Sequence, residues 1–145
     1  MTTKEYLLQV NTARRALKSY EEELERLRIQ AAGLRAITYD KDPVQTSPDD
    51  YMLKAVGRLM DVEAKYADVI EANQSIIYRI SKQVNELPNA DYSELLRLRY
   101  ITPYRDGRKL TPFAVIARRM HRTTERCWHL HGEALQAFRK MYLRQ

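Results

Sequence analysis

The sequence predicts an all-α fold: a long antiparallel, coiled-coil-like helical hairpin over residues 1–87, then a small helix-turn-helix domain over residues 88–145. Three observations carry this. Two segments of similar length repeat apolar residues at alternating three- and four-residue spacing, the pattern of a helix that buries one seam against a partner. One short, polar, proline-containing stretch separates them. The remainder breaks into short amphipathic segments bounded by cap and turn residues.

The first segment, about Thr3 to Ile37, places Tyr6, Val10, Ala13, Leu17, Tyr20, Leu24, Leu27, Ala31 and Leu34 on one seam. Glu21-Glu22-Glu23 and Arg14-Arg15 fall off it. Such a helix spans roughly 50 Å and is too thinly apolar to stand alone. Thr38 to Asp50 carries Pro43 and Pro48, lacks periodicity and reads as a loop, with Ser47 or Asp49 as the next cap. The second segment, about Asp50 to Leu87, aligns Ala55, Leu59, Val62, Tyr66, Val69, Asn73, Ile76, Ile80, Val84 and Leu87. Asn73 interrupts the seam in the way that fixes pairing register. A short connection between long helices makes antiparallel pairing the simplest arrangement.

Pro88 ends the second helix. Asp91, with Glu94 three residues on, reads as the cap of a third, which presents Leu95, Leu96, Leu98, Tyr100 and Ile101 as an apolar face. Thr102 to Leu110 is a loop with a turn at Asp106-Gly107 and three cations, Arg105, Arg108 and Lys109. A phosphate-contacting loop and a merely solvated charge run fit that composition equally. Thr111 reads as a cap, with Pro112 at the first helical position. Phe113, Ile116, Ala117 and Met120 then share a face, and Ala117 is small enough for a crossing helix to approach. His121 stands where many such turns carry glycine. Thr123 offers the next N-cap, and Cys127, Leu130, Ala134 and Phe138 form the stripe behind it.

Charge is divided unevenly. Residues 1–87 hold 13 Lys/Arg against 14 Asp/Glu, whereas residues 88–145 hold 12 against 5. The formal charge of +6 therefore belongs to the part with the short helices, as a phosphate-binding surface requires. Arg118, Arg119, Arg122 and Arg126 crowd the outer side of the helix–turn–helix stretch. An ordinary helical hairpin with a solvated face is the plainer reading. The basic face together with the motif favours double-stranded DNA, with the second helix in the major groove. In that reading Thr124, Glu125, Arg126 and His129 meet base edges, Glu125 accepting from cytosine N4 and Arg126 pairing with guanine. Arg126 is expected on the side away from Cys127 and Leu130. Thr123 caps the reading helix, and Arg105, Arg108, Lys109, Arg118, Arg119 and Arg122 hold phosphates.

Other chemistry finds little support. One cysteine, Cys127, excludes an intramolecular disulfide framework. The N-terminal residues form no signal-peptide core and no apolar run is long enough for a membrane span, so a reducing cytoplasm is the expected compartment. Of Cys127, His129 and His131, only Cys127 and His131 share a helix face, two ligands where a structural metal site needs four. No glycine-rich phosphate loop and no nucleophile with an oriented base occur. Neither a metal, a cofactor nor an enzymatic activity is expected.

Glu94-Leu-Leu-Arg-Leu-Arg-Tyr-Ile101, Ile116-Ala-Arg-Arg-Met120, Thr123 and Trp128-His-Leu-His-Gly-Glu-Ala-Leu135 together resemble a family of small phage and prophage proteins. Its members join a coiled-coil-like N-terminal region to a C-terminal domain similar to region four of sigma factors. The family lies close to the RinA-type and ArpU-type phage transcriptional regulators. Leu98, Arg99, Tyr100, Ile116, Ala117, Met120, Leu130, His131, Ala134 and Leu135 fit its pattern. Thr123 stands for the usual Ser cap, Cys127 for Val and Trp128 for Tyr, and the Thr102–Pro112 loop is longer than usual. The resemblance implies a phage-encoded DNA-binding transcriptional regulator, an activator of late genes working with host RNA polymerase, whose hairpin is expected to form a homodimer or to contact polymerase. The alternatives are a small-terminase-like DNA-packaging component and a scaffold or inhibitory protein that grips an acidic protein partner.

Overall fold

The computed structural model describes residues 1–40 and 48–143, leaving out the side chains of residues 34–40, 48 and 49. The chain is all-α: α1 spans Thr3–Asp40, α2 Pro48–Asn85, α3 Ala90–Leu96, α4 Phe113–Met120 and α5 Thr124–Tyr142, with a π-helical turn at Arg97–Ile101 directly after α3. Both long helices reach further into the expected Thr38–Asp50 loop than the sequence suggested. No breaker precedes Pro43, so α1 continues to Asp40, while Pro48 occupies a first helical position, where its missing N–H is harmless. Asp49 lies inside α2 and is therefore not its cap, while the remainder of that loop and the Ser47 cap position lie outside what is described.

The packing forms two compact units, Met1–Arg15 with Asn73–Gln145, and Ala16–Ala72. They do not follow the division at Leu87 and Pro88 read from the sequence. Within Ala16–Ala72, Tyr66 donates its hydroxyl to the Glu23 carboxylate at 3.0 Å and Arg28 pairs with Glu63 at 3.1 Å. The partner number falls as the α1 number rises, so the two segments run in opposite directions. The Tyr20 and Tyr66 rings lie 4.8 Å apart. Only Leu24 and Ala31 are buried in this unit among the described residues, and Tyr51, Leu53, Met60 and Ile29 are at least 63% exposed. Val69, placed on the seam by spacing, is 37% exposed.

The other unit carries a larger core. Leu7 and Val10 of α1 and Ile80, Val84 and Leu87 meet Leu95, Leu96, Leu98, Tyr100, Ile116, Ala117, Met120, Cys127, Leu130, Ala134 and Phe138. Leu7 is off the heptad seam yet fully buried, because here α1 packs against more than its α2 partner: the adjacent Tyr6 donates to Gln83 at 2.7 Å and its ring lies 5.8 Å from Phe138.

Two capping expectations change. Asn89, not Asp91, caps α3, its side-chain oxygen accepting from the N–H groups of Asp91 and Tyr92 at 2.9 and 3.2 Å. Asn89 holds an extended backbone just after Pro88, the conformation an N-cap needs. At α4 the chain stays extended through Pro112, whose carbonyl accepts from Val115 and Ile116, so Pro112 rather than Thr111 is the cap position. Thr111 is buried, and its carbonyl accepts from Arg99 at 2.7 Å. The guanidinium of Arg99 also lies 4.5 Å over the Phe113 ring. Arg99 thereby ties the π-helical turn to the start of α4. That turn is closed by the Thr102 N–H on the Arg97 carbonyl at 2.8 Å, five residues back, and Arg14 of α1 donates to the Ile101 carbonyl.

Candidate nucleic-acid interface

α4 ends on His121, which takes the left-handed conformation (φ 55°, ψ 43°). The His121 N–H reaches the Arg118 carbonyl and the Arg122 N–H the Ala117 carbonyl at 2.9 Å, a paired closure that needs a left-handed residue at that point. A histidine thus does here what glycine does more cheaply. The chain then turns extended at Thr123, whose hydroxyl oxygen accepts from the Arg126 N–H at 3.1 Å and starts α5. Thr123 is a cap, as expected, and that bond uses one acceptor site of its hydroxyl oxygen.

This connection brings four of the expected residues together. Arg118, Arg122, Thr123 and Arg126 line one shallow groove with Ala117 and His121. Arg119 is exposed in the last turn of α4 beside it. The four arginines are not equivalent. Arg122 is held by Asp91 at 3.0 Å, so it braces α3 against the turn and its charge is half-answered within the protein. Arg118, Arg119 and Arg126 make no ion pair among the described residues.

Arg126 is exposed, but not on the side away from the core stripe. It stands four residues before Leu130, so the two share a helix side, and Arg126 escapes burial because it sits in the first turn. The outward strip of α5 is instead Glu125, His129, Gly132 and Gln136, all exposed, at four-, three- and four-residue spacing. Thr124 is half-buried at its edge. Trp128, 57% exposed on the flank opposite Arg126, is the residue the sequence reading passed over as a site. Its signal was its position one residue beyond Cys127, off the buried stripe.

The loop cations Arg105, Arg108 and Lys109 do not line the groove. They belong to a tight turn in which Tyr104 and Lys109 form an antiparallel bridge, the Gly107 N–H meets the Tyr104 carbonyl at 2.9 Å, and Gly107 takes φ 79°. The expected Asp106-Gly107 turn is therefore present. Arg108 is paired with Asp106 at 3.4 Å, the Arg105 guanidinium lies 5.1 Å over the Tyr104 ring, and Lys109 is exposed.

No family model, curated protein or solved structure matches the chain. No group of three or more His, Cys, Asp or Glu among the described residues could hold a metal. Cys127 is fully buried and burial pushes its thiol pKa up, which leaves it a packing residue. His131, buried on the same face, has its Nε2 2.8 Å from the Tyr100 hydroxyl and its ring edge-on to Phe113 at 5.2 Å. No helix among the described residues is long and apolar enough to cross a membrane.

Burial, reinforced by the charges of Lys4 and Arg99, lowers the His131 pKa to about 4 from an ordinary 6.5. The unfolded chain therefore takes up a proton in a range where the folded one does not. Stability from this group is complete above about pH 6.5 and falls as the pH drops towards about 4, by on the order of 3 kcal/mol. Denaturant titrations across that range should show the decline in wild type and a flatter profile for His131→Gln. Parallel profiles would remove His131 as its source.

Proposed function

We propose that this chain is a phage-encoded DNA-binding transcriptional regulator, an activator of late genes that works with host RNA polymerase, and not an enzyme. The observation that carries DNA binding is the juxtaposition at the α4–α5 connection. Arg118 and Arg126, without an ion pair among the described residues, line a groove at the capped start of a helix whose outward strip is polar and open, and Arg119 is exposed in the adjoining turn. Cations so placed would neutralise backbone phosphates while Glu125 and His129 face base edges, Glu125 accepting from cytosine N4. Arg126, set on the flank beside Arg118, joins the phosphate holders in this reading, and Arg122 contributes less because Asp91 already holds it. The phage and late-gene parts rest on the sequence resemblance. Pairing of two copies through Ala16–Ala72 is favoured by the exposed Ile29, Leu53 and Met60.

Binding titrations on a selected duplex and on random duplex, at several salt concentrations, test it. Glu125→Ala and His129→Ala should each cost about 1–3 kcal/mol on the selected site and much less on random DNA. Arg119→Ala should weaken both duplexes alike and lower the salt slope by about one. Equal losses on both duplexes for all three variants would leave the strip without a reading role. No duplex binding by wild type at low salt would remove the DNA reading altogether.

A further inference from the structure

The opposite end of α5 carries a second cationic feature that DNA reading does not use. A groove there is lined by the first turns of α1 and the last turns of α5, with Tyr6, Leu135, Tyr142 and Leu143 as its apolar floor and Lys4, Arg139 and Lys140 at its rim. All three cations are exposed and make no ion pair among the described residues. Two acids lie close by: Glu5 accepts from the N–H of Thr2, a lining residue, at 2.7 Å, and Glu86, 4.0 Å from Lys82, is near enough for its charge to act on Tyr142. The Tyr142 hydroxyl is buried with no hydrogen-bond partner among the described residues, although a buried hydroxyl ordinarily finds one.

We propose that this groove docks an acidic protein segment, with an aliphatic or aromatic side chain on the apolar floor and flanking Asp or Glu on Lys4, Arg139 and Lys140. Charge complementarity names the flanks and the floor names the anchor. A duplex backbone has charge but no apolar side chain to place on such a floor. The groove is also remote from the reading end, because Arg139 lies thirteen residues beyond Arg126, roughly 20 Å along the helix. A carboxylate or backbone carbonyl of the segment would accept a hydrogen bond from the Tyr142 hydroxyl. The inference stands independently of the DNA reading.

The test is fluorescence anisotropy of the full chain with three short labelled peptides: Leu and Phe flanked by Asp and Glu, the same peptide with Lys for each acid, and the acidic peptide with Ala for Leu and Phe. The first should bind, and the other two should bind at least about tenfold more weakly, about 1.4 kcal/mol. Arg139→Glu with Lys140→Glu should remove that binding, whereas Arg119→Glu should not, with thermal unfolding unchanged in both. Indifference to peptide charge or anchor, or an equal loss with Arg119→Glu, overturns the proposal. A large loss of duplex affinity in the Arg139→Glu, Lys140→Glu variant also overturns it and gives the groove to nucleic acid.

Discussion

Phe138→Ala is expected to lower the unfolding free energy by about 3–5 kcal/mol, among the largest effects of any single truncation in this chain. The ring is fully buried near the end of α5, with Tyr6 of α1 at 5.8 Å and Tyr142 at 5.0 Å. It therefore links the two chain segments, residues 1–15 and 73–145, that build one core. Removing it takes apolar surface from both segments and leaves a cavity that helices held by caps and tight turns cannot easily close. Circular dichroism against urea or temperature should show a midpoint lower by roughly 10 °C or more. With two compact units in the chain, the loss belongs to the transition that includes α5 and need not move the other. A midpoint within about a degree of wild type would mean that Phe138 is not at the centre of this core.

What could be read from the sequence follows from which forces are local. Heptad spacing located the long helices because apolar periodicity is written residue by residue, and Thr123 revealed itself as a cap by chemistry and position alone. The Asp106-Gly107 turn was legible for the same reason. Asn89 was missed because Asp91 and Glu94 form an equally good local signature, and the choice fell to the chain direction after Pro88. Leu7 was missed because a heptad count assumes one partner, whereas α1 has more than one at that level.

The candidate interface was legible as a set of residue types but not as a geometry. Its arginines were found by charge count, yet nothing local says that Arg122 spends its charge on Asp91, which is 31 residues away. Arg126 was assigned to the wrong side although helical spacing alone places it with Leu130, so that error was one of phasing and not of missing information. Trp128 was hidden by its neighbours, since an aromatic beside a buried stripe reads as part of the stripe until exposure is known.

Val84→Asp is expected to unfold the core formed by residues 1–15 and 73–145, with a cost on the order of 3–5 kcal/mol or more. Val84 is fully buried among Leu7, Val10, Ile80 and Leu87 and the side chains of α3 to α5. A carboxylate there would be buried in an apolar cluster, and an unpaired buried charge is among the costliest single changes. The same packing implies that residues 88–145 are not a self-sufficient domain. Without Leu7, Val10, Ile80, Val84 and Leu87, the buried faces of Leu95, Leu96, Ile116 and Phe138 lose much of their cover. A fragment of residues 88–145 should therefore show low helicity and no cooperative melt, and in the DNA reading it should bind duplex poorly despite carrying every candidate contact. Lys82→Asp is the control: it lies in the same stretch of α2, its side chain is 58% exposed, and losing its pair with Glu86 should cost under about 1 kcal/mol. Circular dichroism and calorimetry of the three proteins decide the matter. A cooperative melt for the fragment near the wild-type temperature, or wild-type stability for Val84→Asp, would show that the short helices fold without the ends of the long ones.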